Sequence, residues 1–269
     1  MLKPHLSVSQ LNTLANCGEA YRRSYVEREK IPPNYAMLRG RAVHGGAELN
    51  FGQKIGSHCD LPSGQIVDAS VAQLELEAAK GVELAAEDRG RSRQLVHGEA
   101  VDEVAKLARL HATTQAPVYQ PVAVETAIRV VLPDKTHDLV SVLDMVDDAG
   151  RVVDFKTKRK PMTTGEVAES LQFTAYAFAR KIQTGEYPVE LVMENLINTG
   201  TTQKRQRIAT TRGDEDVAVL AARFDAAVRA KEAGIYQPAA IGAWNCCQAY
   251  CGYWSTCAYA AGKKGAQGD

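Results

Sequence analysis

Residues 151–161, RVVDFKTKRKP, place an aspartate and a lysine two positions apart, Asp154 and Lys156. Side chains alternate across a β-strand, so Val152, Asp154 and Lys156 share one face. Asp and Lys are poor strand formers; two of them among valines and a phenylalanine impose a cost that calls for a purpose. A second acid, Asp144, lies near the end of the preceding β-branched segment, HDLVSVLDMVD. The DDAG turn between the two segments brings it alongside Asp154. Neighbouring carboxylates repel unless a cation joins them, and oxygen ligands suit magnesium or manganese. Lys156 would then orient or deprotonate a water, or stabilise charge on a phosphoryl group in transfer. Taken alone, these residues also fit a solvated Asp–Lys pair on an exposed strand face. The literal PDK at Pro133–Lys135 is turn chemistry between two strands and is set aside.

The second reactive cluster is NCCQAYCGYWSTC, which packs four of the six cysteines between Asn245 and Cys257. The start of the chain shows no apolar signal segment, and no apolar run reaches the ~18 residues of a membrane span. A cytoplasmic protein is therefore expected. Thiols stay reduced there, and clustered cysteines point to a metal more than to disulfides. Formal net charge is zero, so any contact with nucleic acid must use a local basic patch. Lys156–Lys160 is one candidate, joined by Arg22, Arg23, Arg39, Arg41, Lys204, Arg205 and Arg207.

These groups must be carried by regular elements. Ser7 or Ser9 caps a predicted helix through Leu11, Leu14, Cys17 and Tyr21 to about Val26. Further helices are expected over 36–51, from Val67 through Val82, and over 99–113. PVAVETAIRVVLP, HDLVSVLDMVD and RVVDFKT read as three consecutive antiparallel strands. A helix over 164–184 follows, then a hairpin through Thr199-Gly200, then a helix over 215–233. The pattern predicts one α/β domain spanning 1–269, a central mixed sheet flanked by helices. Residues 1–113 form a mostly helical N-terminal part, 114–233 the core, and 234–269 a cysteine-rich tail.

Two further motifs bracket the acids. GRAVH, Gly40 to His44, lies upstream on a helix; QFTAY, Gln172 to Tyr176, lies downstream with its polar residues four apart on one helical face. In this order the set resembles the RecB-like branch of the PD-(D/E)XK nucleases, which includes the CRISPR-associated exonucleases and their phage relatives. The correspondence runs over Gly40–His44, Asp144, Asp154-Phe155-Lys156-Thr157 and Gln172–Tyr176. It departs in one place: Ser141 stands where the family usually has glycine, three residues before the first acid.

The resemblance implies a restriction-endonuclease-like core and a DNA exonuclease that uses a metal-activated water. His44, Asp144, Asp154 and the carbonyl of Phe155 would hold manganese or magnesium. Lys156 would position the water, and Gln172 and Tyr176 would support the site or the DNA backbone. Glu125 matches an acid often found on the first strand. Members of this branch carry a four-iron four-sulfur cluster, which here implies Cys17, Cys246, Cys251 and Cys257 as ligands. Cys247 is the adjacent competitor, Cys59 is left over, and zinc is the rival metal. Ligation would close a loop of about 230 residues between Cys17 and Cys246. The implied partners are DNA, single-stranded or end-containing duplex, and recombination or CRISPR-adaptation proteins, with homo-oligomers known in the branch and no membrane. The setting would be a bacterial cell or a phage-infected host. The alternative is a DNA-end binding or processing factor for recombination or integration with little or no turnover.

Overall fold

The structure is a computed structural model and describes residues 3–88 and 90–260; the last part of the predicted tail, 261–269, lies outside the described residues. Its centre is a six-stranded mixed sheet of β1 (His5–Ser7), β2 (Pro121–Val130), β3 (Asp138–Asp147), β4 (Val152–Lys158), β5 (Leu191–Asn198) and β6 (Gln203–Thr210). The expected meander is present, with β2 antiparallel to β3 and β3 antiparallel to β4, and so is the β5–β6 hairpin. β4 and β5 run parallel, as their helical crossover requires.

One edge of β3 is shared. β1 pairs with it in parallel over Asp138–Val140, while β4 pairs only at Met145↔Val153 and Val146↔Val152. The stretch 141–144 between these ladders is unpaired on that side. The next rung would have set Asp144 opposite Asp154; instead the strands separate there.

Helices α1 (Val8–Asn16), α2 (Gly18–Tyr21), α3 (Tyr35–Ser57), α4 (Ser63–Ala78), α5 (Arg93–Thr114), α6 (Thr164–Ala168), α7 (Leu171–Thr184) and α8 (Asp214–Glu232) cover the sheet. Val152 packs with residues of α1, α7 and α8, whereas its neighbour Val153 packs with Ala47 and Phe51 of α3. Adjacent strand residues face opposite ways, so the two helix groups form layers on opposite faces. Asn34 caps α3, accepting from Met37 N–H at 3.0 Å.

Gly46 lets α3 seat against α4. A Cβ there would lie 2.0 Å from Ser70 Oγ and 2.9 Å from the Ile66 carbonyl oxygen. Gly46→Ala is expected to destabilise the protein by about 2–3 kcal/mol as the helices separate; an unchanged urea midpoint would contradict this packing.

Two predicted helices differ from what is observed. The first is interrupted at Cys17, which is extended (φ −164°, ψ 102°), and continues as α2 and a π-helical turn over Arg22–Val26. The predicted helix over 164–184 is split by Ser170, whose hydroxyl caps α7. The third difference is β1, absent from the sequence reading, because three residues carry too little pattern to detect.

Candidate metal centre and cysteine cavity

The separation of β3 from β4 lets both helix layers reach one point. Asp144 and Asp154 come from the parted strands, His44 from α3, and Gln172 and Tyr176 from α7. His44 Nε2 lies 3.0 Å from Asp144 Oδ2 and 3.5 Å from Glu125 Oε1. Phe155 N–H, freed from β3 by the missing rung, donates to Asp144 Oδ2 at 2.9 Å. Asp154 is fully buried. Its Oδ1 accepts from Gln172 Nε2 at 3.0 Å and Tyr176 O–H at 3.3 Å, and Lys156 Nζ sits 2.7 Å from its Oδ2. Gln172 also contacts the Tyr176 hydroxyl directly.

Among the described residues, one set of three brings ligand atoms within 4.8 Å of one another: His44, Glu125 and Asp144. The family resemblance implies Asp154 in this inner set and Glu125 only as a looser match. Glu125 is brought in by its backbone, which adopts φ +46° within β2, a conformation a non-glycine residue rarely takes and one that clusters at functional sites. Its Oε1 is buried without a hydrogen-bond partner, and a buried carboxylate oxygen in that position suits a cation. Phe155 makes its visible contact through N–H.

The electrostatics describe a site short of positive charge. Burial raises Asp154 to about 6, with Asp144 adding to the effect against Lys156. Burial likewise raises Glu125, helped by Asp144. Asp144 is lowered: burial opposes ionisation, but the bond to His44 and its charge, with Lys156 and the Phe155 N–H, outweigh it. His44 is raised, its own burial overcome by Asp144 and Glu125. Lys156 is raised too, as Asp154 and Asp144 overcome its desolvation. The oxygen-rich donor set with one imidazole fits a divalent ion such as magnesium or manganese.

Cys17, Cys246, Cys251 and Cys257 all line one cavity of about 290 Å³, together with Pro238, Trp254 and Tyr259. Cys247 does not line it and donates to the Trp244 carbonyl at 3.4 Å; Cys59 is exposed on the loop after α3. Burial raises the Cys251 thiol, with Cys17, Cys246 and Cys257 close enough to add to the shift. The tail reaches Cys17 because Gly18 has no side chain. Gly18 N–H donates to the Gln237 carbonyl at 2.6 Å, and a Cβ would fall 2.6 Å from Gln237 N.

All seven arginines expected in a basic groove are engaged in ion pairs. Arg22 pairs with Glu19, Arg23 with Glu29, Arg39 and Arg159 with Glu103, Arg41 with Glu77, Arg205 with Glu194 and Arg207 with Glu190. The pairs of Arg22 and Arg23 are local, whereas Glu103 and Glu77 reach Arg39, Arg159 and Arg41 only through folding. Lys158, Lys160 and Lys204 have no ion pair among the described residues. A larger cleft, about 740 Å³, lies between the start of α3 and the tail, with Arg28, Lys30, Tyr250 and Trp254 in its wall.

No curated protein matches the chain significantly in sequence. In structure it is similar to a provisionally named exonuclease from Eubacterium rectale, at 14% identity and TM-score 0.55, covering 90% of this chain and 85% of that one. A looser likeness to SSO0001, at 10% identity and TM-score 0.36 over 93% and 95% of the two chains, carries no weight for the fold. The family model of the PD-(D/E)XK nuclease superfamily matches residues 5–258, nearly the whole chain. The mixed sheet with helices on both faces is that superfamily's fold, its nucleases use divalent metals, and the chain belongs to it.

Proposed function

We propose that the protein is a divalent-metal-dependent deoxyribonuclease of the RecB-like branch, an exonuclease acting on DNA ends, with 1–269 as one nuclease unit. The observation that carries this reading is the meeting of His44, Glu125 and Asp144 beside the Asp154–Lys156 pair, where the strands part. His44, Asp144, Glu125 and Asp154 would hold manganese or magnesium, with the carbonyl of Phe155 as a further oxygen. A bound divalent ion supplies Lewis acidity and lowers the pKa of water. The chain's own groups do the rest. Gln172 and Tyr176 hold one oxygen of Asp154 and so aim the other. Lys156 stays protonated beside two carboxylates and orients the attacking water or steadies negative charge on phosphate. The exonuclease mode draws on the provisional name of the Eubacterium rectale protein.

We assign the cysteine cavity to a four-iron four-sulfur cluster held by Cys17, Cys246, Cys251 and Cys257. Its support is that these four line one cavity and Cys247 does not. Among the described residues, none of their sulfurs joins a set of three ligand atoms within 4.8 Å, the crowding a single tetrahedral zinc would need; a cluster would hold its thiolates farther apart. No helix among the described residues is long and apolar enough to cross a membrane. The reading places the protein in a reducing cytoplasm, where such thiols persist.

The test is cleavage of labelled single- and double-stranded DNA with manganese or magnesium, using linear, end-blocked and circular substrates. Linear DNA is degraded, circular DNA is spared, and Lys156→Ala slows the rate about 10²–10³-fold. Wild-type rates in both Lys156→Ala and Asp154→Ala would remove the mechanism. DNA binding without turnover by the intact protein would instead favour an end-binding factor for recombination. Glu125→Gln should weaken manganese binding at least about tenfold by calorimetry; unchanged affinity would exclude Glu125 from the ligand set.

A further inference from the structure

Behind the metal centre lies a second histidine. His111, on α5, is 1% exposed, and its ring packs edge-on against Phe51 and Phe155 at 5.3 and 5.8 Å. Its Nδ1 is 2.9 Å from Gln115 Oε1. The other end of Gln115 fixes the direction of that bond. Gln115 Nε2 donates to Glu194 Oε2 at 3.1 Å, so the amide oxygen is the end that faces the imidazole, and an amide oxygen only accepts. Glu194 is fully buried and accepts from Arg205 Nε at 2.8 Å and from Tyr119 O–H at 2.5 Å. His111 therefore carries a hydrogen on Nδ1, and burial keeps the ring neutral. Its Nε2 is left as an acceptor, buried, with no hydrogen-bond partner. An unpaired acceptor in such surroundings costs free energy and calls for a donor.

The donor's place is visible. A small space of about 20 Å³ is lined by His111, Gln115, His44, Gly40, Lys156 and Thr157. That volume admits one water molecule. Gly40 keeps it open, since a Cβ there would stand 3.3 Å from Thr157 Oγ1. His44 is the second imidazole in the wall. Its Nε2 is turned toward Asp144 and Glu125, which leaves Nδ1 for the other side. An imidazole whose one nitrogen serves a cation carries its proton on the other and hands it to an acceptor.

We propose that a single water occupies this space, accepting from His44 Nδ1–H and donating to His111 Nε2, so that His111 is a positioning residue for His44. The Thr157 hydroxyl completes the water's shell. A buried line then runs from Arg205 through Glu194, Gln115, His111 and the water to His44, anchoring the imidazole from behind. This rests on the proposed function in one respect, that His44 Nε2 serves a divalent ion.

The experiment has three arms. Long-range proton–nitrogen NMR at pH 8 should show His111 with hydrogen on Nδ1 and a bare Nε2, and, in the magnesium-loaded protein, His44 with hydrogen on Nδ1. A high-resolution crystal structure should show one water between the rings. His111→Phe should weaken manganese binding ten- to hundredfold by calorimetry, whereas His111→Gln, which keeps an acceptor at that place, should lose less than about threefold. His111 found with hydrogen on Nε2, an empty space between the rings, or unchanged affinity in a folded His111→Phe would each overturn the proposal. If His111→Phe does not fold, the wild-type spectrum and crystal structure decide. A wild-type protein that cleaves no DNA would strike the proposed function alone, because neither the His111 spectrum nor the water depends on turnover.

Discussion

Asp154→Asn is expected to lower metal-dependent DNA cleavage by at least about a thousandfold, and to make the metal-free protein less sensitive to rising pH. Asp154 is fully buried and receives Gln172, Tyr176 and Lys156 on its two oxygens. Asparagine keeps the shape and loses the charge that would hold a cation and retain Lys156. The pH effect follows from the raised value of about 6, against an ordinary 3.8. A carboxyl raised on folding contributes its stability fully below its unfolded value, and that contribution is lost as pH climbs through the folded one. Between pH 4 and 7 the wild-type protein should therefore lose on the order of 3 kcal/mol relative to Asp154→Asn. Manganese should restore the wild type only. Melting temperatures across that range, without metal and with it, read this directly. Parallel pH curves would mean that Asp154 is not held as the buried acid described, and a cleavage rate within tenfold of wild type would end its role in the chemistry.

Cys17→Ser is the second large effect. It should abolish absorbance near 400 nm in anaerobically purified protein and lower the melting temperature by roughly 10 °C. A structural metal site contributes several kcal/mol or more to folding, and each kcal/mol moves a protein of this size by about 2–4 °C. Cys17 is the one ligand candidate outside the tail, so its loss removes the proposed metal-mediated link to the N-terminal helices and leaves contacts such as the Gly18–Gln237 backbone bond. Cys247→Ser and Cys59→Ser should leave both readings unchanged, since neither residue lines the cavity. A colourless wild-type protein carrying zinc would refute the cluster while preserving the closure. Full colour in Cys17→Ser would refute the ligand.

The meander and the hairpin were legible because alternation and turn chemistry are local properties, and those segments obey them. The acids and Lys156 were legible for the opposite reason: they are poor strand residues set in good strands. What escaped depended on distant partners. β1 is three residues long and is a strand only because β3 offers it an edge. Glu125 enters the inner ligand set through a positive φ that no side-chain pattern announces. The break at Cys17 was missed although Asn16 and Gly18, both poor helix formers, flank it, because the apolar spacing of Leu11, Leu14, Cys17 and Tyr21 runs straight through. The basic patch was overcounted because the acids that pair with Arg39, Arg41 and Arg159 lie far away in the sequence, while those of Arg22 and Arg23 are near neighbours that a count of basic residues ignores. His111 bears no motif; its place behind His44 follows from the packing of α5 under α3.

The notch at Gly18 also sets a timetable. Tyr236 and Gln237, which fill it, leave the ribosome roughly 200 residues after Gly18 does, a delay of roughly 10–40 s at ordinary elongation rates. Through that interval the nascent chain has its opening helices without the segment that packs on them, and the thiol at position 17 stands without its three companions. This end of the molecule can therefore close only after the sheet and the residues of the metal centre have been synthesised, and a cluster of the kind proposed would be built onto a chain that already carries them.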